Sequence, residues 1–228
     1  MSNSTSFEVY NIHDSSSEEE EVCYRDILFL IEGLPVYNSH GEVIPIEHTY
    51  KNGKTILIFI RHFLCFAATD YVTDLAKIPD SYLEEAGVKI VVIGCGPFKF
   101  IQEFRKYTGF RHEIYTDPER EIYKALNFVE SLYYGKGNIH CKSGVVMGVL
   151  RQLWRGYTST KWESHGDMRQ NGGELIFNSV GSLIYSHRDL DVTDQTEINT
   201  LLSLAGAKTF DFEDNCDKHN QINDILVL

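Results

Sequence analysis

The chain has no apolar run approaching the ~20 residues that cross a bilayer, so no membrane span is expected. It also lacks a basic excess. Its 33 acidic residues stand against 21 lysines and arginines, for a formal net charge of -12. A polyphosphate backbone is held by positive charge, so nucleic acid is not an expected partner. The start of the chain has neither a basic nor an apolar stretch, so no secretion signal is read there. The five cysteines (Cys23, Cys65, Cys95, Cys141 and Cys216) are odd in number and widely spaced. No two of them, and no Cys/His pair, have metal-finger spacing; His62 and Cys65 are three apart, but no second pair completes a site. The expectation is therefore reduced thiols in a cytoplasmic compartment, with no metal and no bound cofactor.

What is present is enough apolar material for one globular domain: 228 residues, 43% hydrophobic. The charge sits at the ends. Residues 1–21 carry six acids and no Lys or Arg; residues 211–228 carry five acids and one base, Lys218. About -2 of the total is left for the middle of the chain, which reads as nearly neutral. Three segments follow: a Ser/Glu-rich disordered tail at 1–22, a folded domain at 23–207 and an acidic tail at 208–228.

The domain is organised around Thr55–Ile78. Thr55–Ile60 is a β-branched apolar run of the kind that forms a fully buried strand. Tyr71, Val72, Leu75 and Ile78 then recur at helical spacing, predicting a helix over Asp70–Ile78 that Pro79 stops. Cys65 falls at the junction. The first turn of a helix presents unpaired N–H groups and the positive end of its dipole, which stabilise a thiolate and make it a better nucleophile at neutral pH. Arg61 and His62 are close enough in sequence to add to the effect. The competing reading of any lone cysteine is a small buried hydrophobe.

Around this centre the pattern alternates. Leu34–Tyr37 and Val43–Ile46 read as a hairpin, and Ser81–Ala86 as a short helix ended by Gly87. Val88–Ile93 is a second buried strand, running into the turn at Gly94–Pro97 and an amphipathic helix at Phe98–Tyr107. A short strand at Glu113–Tyr115 precedes a helix at Glu119–Leu126, capped by Asp117 and Pro118. Ser143–Trp154 reads as an extra helix, followed by an aromatic and basic stretch suited to lining a pocket. A hairpin at Glu174–Asn178 and Ser182–His187 and a last helix at Asp194–Leu204 close the chain. Alternating βα units followed by a hairpin and a helix predict an α/β fold, a mixed central sheet flanked by helices. A cysteine that ends the first core strand and opens the first core helix is the thioredoxin-like arrangement.

Three stretches carry a resemblance: FIRHFLC with TDYVTDLAKIP; VVIGCG with IQEFRKYTGF and IYTDPEREIYKAL; and GDMRQNGGELIF with His187-Arg188. In this order they resemble the peroxiredoxin-like proteins of the alkyl hydroperoxide reductase/thiol-specific antioxidant class, over residues 25–206. The resemblance implies a thioredoxin fold and a thiol peroxidase with Cys65 as nucleophile. It implies a peroxide or small apolar substrate and a thiol reductant such as thioredoxin or glutathione, and it leaves a homodimer open. Arg61 and His62, with Arg169 beside the Gly172-Gly173 turn, are the candidates to assist the sulfur. Cys95, at the end of the neighbouring core strand, is the topological candidate for a resolving thiol. The chain departs from the family pattern twice. Ala68 stands where a second cysteine is expected, and His62 where a threonine is usual. The first departure favours an alternative, a redox-inactive binding or scaffold protein; the aromatic stretch at 154–162 favours another, a specialised reductase of a lipid or natural product.

Overall fold

The computed structural model describes residues 27–135, 139–140 and 166–212. The tail at 1–22, most of the tail at 208–228, the helix expected at 143–154 and the aromatic stretch at 154–162 lie outside the described residues.

A seven-stranded mixed sheet forms the centre, in the order β2-β1-β5-β4-β3-β6-β7. β3 (Lys54–Phe59) and β4 (Val88–Gly94) are its parallel heart, paired from Lys54↔Val88 to Phe59↔Ile93. β5 (Glu113–Thr116) continues the parallel set. β6 (Gly173–Phe177) and β7 (Leu183–Arg188) add an antiparallel hairpin on the other side of β3. The hairpin β1 (Pro35–Tyr37) and β2 (Val43–Pro45) borders β5.

The side-chain period of two sends alternate residues of each core strand to opposite faces. Ile56, Ile58, Ile90, Val92 and Ile176 face one apolar layer. Leu57, Phe59, Val91, Ile93, Leu175 and Phe177 face the other. Both faces are covered, which is why β3 and β4 read as unbroken apolar runs rather than alternating ones. The first layer is closed by α2 (Phe66–Leu75), α3 (Asp80–Ala86), α4 (Ile101–Thr108) and α6 (Ile198–Leu204). The second is closed by α1 (Glu47–Tyr50), α5 (Glu121–Ala125) and a helical turn at 27–31.

Several boundaries differ from the sequence reading. α2 begins at Phe66, directly after Cys65, rather than at Asp70, because Phe66, Ala67 and Ala68 are themselves buried in the first layer. It ends at Leu75, ahead of Pro79, which instead opens α3. α3 does stop at Gly87, whose left-handed φ of 62° suits a residue without Cβ. α6 starts at Ile198 with Glu197 as cap, not at Asp194, because the preceding residues are engaged with the β6–β7 hairpin. α5 starts at Glu121, yet Asp117 still serves it: its carboxylate accepts N–H groups from Glu121, Ile122 and Tyr123.

Candidate functional site

The parallel strands β3 and β4 end side by side, and Cys65 follows the first as Cys95 follows the second. Cys65 takes an extended conformation as the cap of α2. Its N–H donates to the His62 carbonyl at 2.9 Å, closing a tight turn. Its own carbonyl accepts the N–H of Thr69 at 2.9 Å and the Thr69 hydroxyl at 2.8 Å. These bonds fix the sulfur at the N-terminal end of a ten-residue helix, where the dipole favours negative charge. The residue is 2% exposed, held among the apolar side chains of the first layer.

Arg61 lies beside it, itself only 2% exposed. Its Nη1 reaches to 3.9 Å from Cys65 Sγ. The other nitrogens are committed to backbone: Nε donates to the Gln170 carbonyl at 3.2 Å and Nη2 to the Met168 carbonyl. A buried guanidinium held by two carbonyls cannot swing away, so its remaining N–H groups are aimed at the sulfur in advance.

The carbonyls belong to a loop, 166–171, that folds over the strand ends. Arg120 holds the same loop from the other side, through Asp167 at 2.7 Å and the Gln170 side chain at 3.3 Å. His62 is buried at the same place; a Cβ added to Gly166 would meet the His62 Cβ at 2.9 Å and Cys95 Sγ at 3.0 Å. The structure therefore gathers Cys65, Arg61, His62 and Cys95 at one end of the sheet. Arg169 is exposed, and the hydrogen bonds that fix it run through its backbone, its N–H to Asp167 and its carbonyl from Ser131. The contact that loop residues make with Arg61 comes from the carbonyls on either side of Arg169.

The two thiols differ. Burial pushes Cys95 up to about 12, against a smaller opposing contribution from the Asp167 N–H and the Arg120 charge. It sits in the second apolar layer, Cys65 in the first. Ala68 is buried one turn into α2, on the helix that Cys65 caps. Arg120, Asp167, Gln170 and Tyr123 were not legible as site residues, since each acts on the loop or the strand ends rather than on the sulfur. A cavity of about 600 Å³ lies elsewhere, lined by Asp80, Val88, Lys89, Arg111 and His112, near the opposite ends of the strands; none of the expected site residues borders it.

A mixed sheet whose central strand delivers a cysteine to the start of a helix is a thioredoxin-like fold. The crystal structure of a cysteine mutant of peroxiredoxin 6 of Arenicola marina shares the fold, with a TM-score of 0.52 and 12% identity, covering 78% of this chain and 70% of that one. Residues 74–191 match the family model described as AhpC/TSA antioxidant enzyme. Peroxiredoxin-like 2C of Homo sapiens is 40% identical over 181 residues, 78% of this chain and 80% of that protein. Peroxiredoxin-like 2C of Bos taurus is 40% identical over 191 residues, 83% and 84% of the two chains. The chain belongs to the AhpC/TSA antioxidant enzyme family. A more distant similarity, 25% over 154 residues, joins it to the prostamide/prostaglandin F synthase of Xenopus tropicalis, over 64% of this chain and 71% of that protein. The family-model match begins at Asp74, after Cys65, so the assignment of the cysteine rests on its geometry. Among the described residues, no helix is long and apolar enough to cross a membrane.

Proposed function

We propose that this protein is a thiol-dependent peroxide reductase of the cytoplasm with Cys65 as its nucleophile. The observation that supports the reading is Arg61, fixed by two backbone carbonyls with Nη1 3.9 Å from Cys65 Sγ at the start of α2. The thiolate attacks one oxygen of a peroxide ROOH. The O–O bond breaks, the sulfur is oxidised to sulfenic acid, and the departing alkoxide takes a proton to leave as ROH. Arg61 stabilises the negative charge that passes from sulfur to the leaving oxygen, and His62 is the second candidate donor. An external thiol then condenses with the sulfenic acid, releasing water and forming a mixed disulfide. A second thiol attacks that disulfide, restoring Cys65 and leaving the reductant oxidised. With alanine at position 68, this route needs no second cysteine in α2. Thioredoxin and glutathione are the reductants of suitable chemistry. Cys95 suits a structural role better, since a thiol pushed up to about 12 is protonated at neutral pH and is a poor attacking group.

Dimedone labelling after one equivalent of peroxide tests the proposal. The expected result is one label, on Cys65, that disappears in Cys65→Ser. No label on Cys65, with the thiol accessible to a small alkylating agent, would support a redox-inactive scaffold instead. The similarity to prostamide/prostaglandin F synthases favours a second substrate class, an apolar endoperoxide whose O–O bond is opened by the same sulfur. Turnover of hydrogen peroxide, an alkyl hydroperoxide and a prostaglandin endoperoxide, compared at equal concentration, ranks the two readings.

A further inference from the structure

A second group of chemically active side chains lies on the β6–β7 hairpin. Glu174 and His187 are directly opposite in the antiparallel register, so their side chains share a face of the sheet. Asp189 follows His187 by two residues and returns to that face. One ligand atom from each of the three lies within 4.8 Å of the others. Glu174 is 0% and Asp189 1% exposed, while His187 is part-exposed at the rim. Among the described residues, Glu174 Oε1 and Asp189 Oδ1 are buried and have no hydrogen-bond partner.

Unpartnered carboxylate oxygens are rare inside proteins, because the charge has lost its water and gained nothing. Here two of them belong to the same cluster. The rest of the Glu174 carboxylate is held: Oε2 accepts the Thr196 hydroxyl at 2.8 Å, and Thr196 is in turn fixed by Tyr185 at 3.0 Å and, through its carbonyl, by the Tyr71 hydroxyl at 2.7 Å. Outer bonds of this kind orient ligands and leave one oxygen directed inward.

We propose that Glu174, His187 and Asp189 form a binding site for one divalent transition-metal ion. One imidazole nitrogen with two carboxylate oxygens is a donor set that suits Mn²⁺ or Zn²⁺, with ligand atoms about 3 to 3.5 Å apart around the ion. His187 Nε2 is 3.8 Å from Asp189 Oδ1, so a small contraction completes the site. The same nitrogen donates to the Asp194 carbonyl at 2.8 Å; a metal on Nε2 takes the place of that hydrogen bond, with the ring proton carried on Nδ1 instead. The Asp194 carboxylate stands beside the site, its Oδ2 3.6 Å from Nε2 and accepting the Leu190 N–H at 2.9 Å. The ion would tie the hairpin to the segment leading into α6. It would take no part in the chemistry at Cys65.

Mn²⁺ is the probe, because thiolates compete for it poorly. The full chain, stripped with a chelator and kept reduced, is titrated with Mn²⁺ while free ion is followed by electron paramagnetic resonance. Acidic tails bind such ions weakly, so the comparison is with Glu174→Gln and His187→Ala. The expected result is one site in the parent, at least tenfold weaker in each variant, and a melting temperature raised by Mn²⁺ in the parent alone. His187→Ala, at the rim, keeps the test valid if Glu174→Gln does not fold. Equal binding by parent and His187→Ala, or no binding by the parent, would overturn the proposal.

Discussion

Arg61 makes three contacts that cannot all be kept by another side chain. A lysine retains the charge but has one nitrogen, so it cannot hold the Gln170 and Met168 carbonyls and still face the sulfur. Arg61→Lys is expected to slow sulfenic acid formation by about 10²-fold, the scale of losing one fixed donor to a developing charge. Arg61→Ala would also strand two carbonyls, at a cost of about 1–3 kcal/mol each in the melting free energy. A lysine variant reacting at the parental rate would remove Arg61 from the mechanism. Cys95 offers the contrasting measurement. Pushed up to about 12 by burial, it stays protonated below that value, so iodoacetamide should leave it unmodified in the native protein at pH 8. Mass spectrometry should find it alkylated only as pH approaches that range or after denaturation. Rapid native labelling at pH 8 would restore it as a resolving thiol. Ala68 tests the same chemistry from the other side. A cysteine there shares a helix face with the sulfur one turn away. Ala68→Cys should form a peroxide-dependent disulfide with Cys65, seen as a linked peptide, and absence of that link would show that the turn is not shaped for the exchange.

At the scale of elements, the site depends on β3 and β4 ending in register. Tyr123, fully buried on α5, places its hydroxyl 2.6 Å from the Ile60 carbonyl and 2.8 Å from the Ile93 carbonyl, joining the two strand ends just before Cys65 and Cys95. Tyr123→Phe keeps the packing against Phe59 and Phe128 but takes the hydroxyl from both carbonyls, of which Ile93 keeps the Ile60 N–H at 2.8 Å. The expected loss is about 1–3 kcal/mol, read from denaturant melts, with slower reaction at Cys65. An unchanged melt would mean that the strands are held by their ladder alone. These strands were the most legible elements in the sequence, because burial on both faces removes the polar alternation and leaves runs such as Thr55–Ile60. Their pairing with β6 was less visible. The last helix was read from Asp194 because a Thr-Asp pair ahead of a helical stripe has the form of a cap. In the fold, the Asp194 carbonyl instead accepts from His187, and Thr196 serves Glu174. The candidate site divides in the same way. Cys65, Arg61 and His62 are adjacent in sequence and were legible together. The loop contributes backbone carbonyls, which carry no residue signature, so Arg169 drew attention while its neighbours make the contact. Glu174, His187 and Asp189 come together only through the β6–β7 register, which cysteine spacing could not reveal.

For the whole molecule, the sheet is covered on both faces, and each cover uses residues far apart in the chain. The second layer depends on the segment before β1: Ile31 is 0% exposed there, with Ile27 and Leu28 packed against the same cluster. The acids of residues 1–21 contribute nothing apolar of comparable pattern, and most of the net charge of -12 is concentrated in them and in residues 211–228. Folding should therefore be indifferent to one truncation and sensitive to a longer one that ends at Gly33. Removal of residues 1–22 should leave the melting temperature within a few degrees of the full chain, because that stretch is polar and acidic without apolar periodicity and some like-charge repulsion goes. Removal through Gly33 deletes Ile31, and the loss of one such core side chain costs about 2–5 kcal/mol. For a chain of this size each kcal/mol shifts the midpoint by about 2–4 °C, so the longer deletion should melt roughly 4–20 °C lower. Calorimetry of the two truncations decides the boundary. A large drop already at the first cut would show that the acidic segment docks on the domain, and no drop at the second would remove the helical turn at 27–31 from the core that holds β1 and β5 in place.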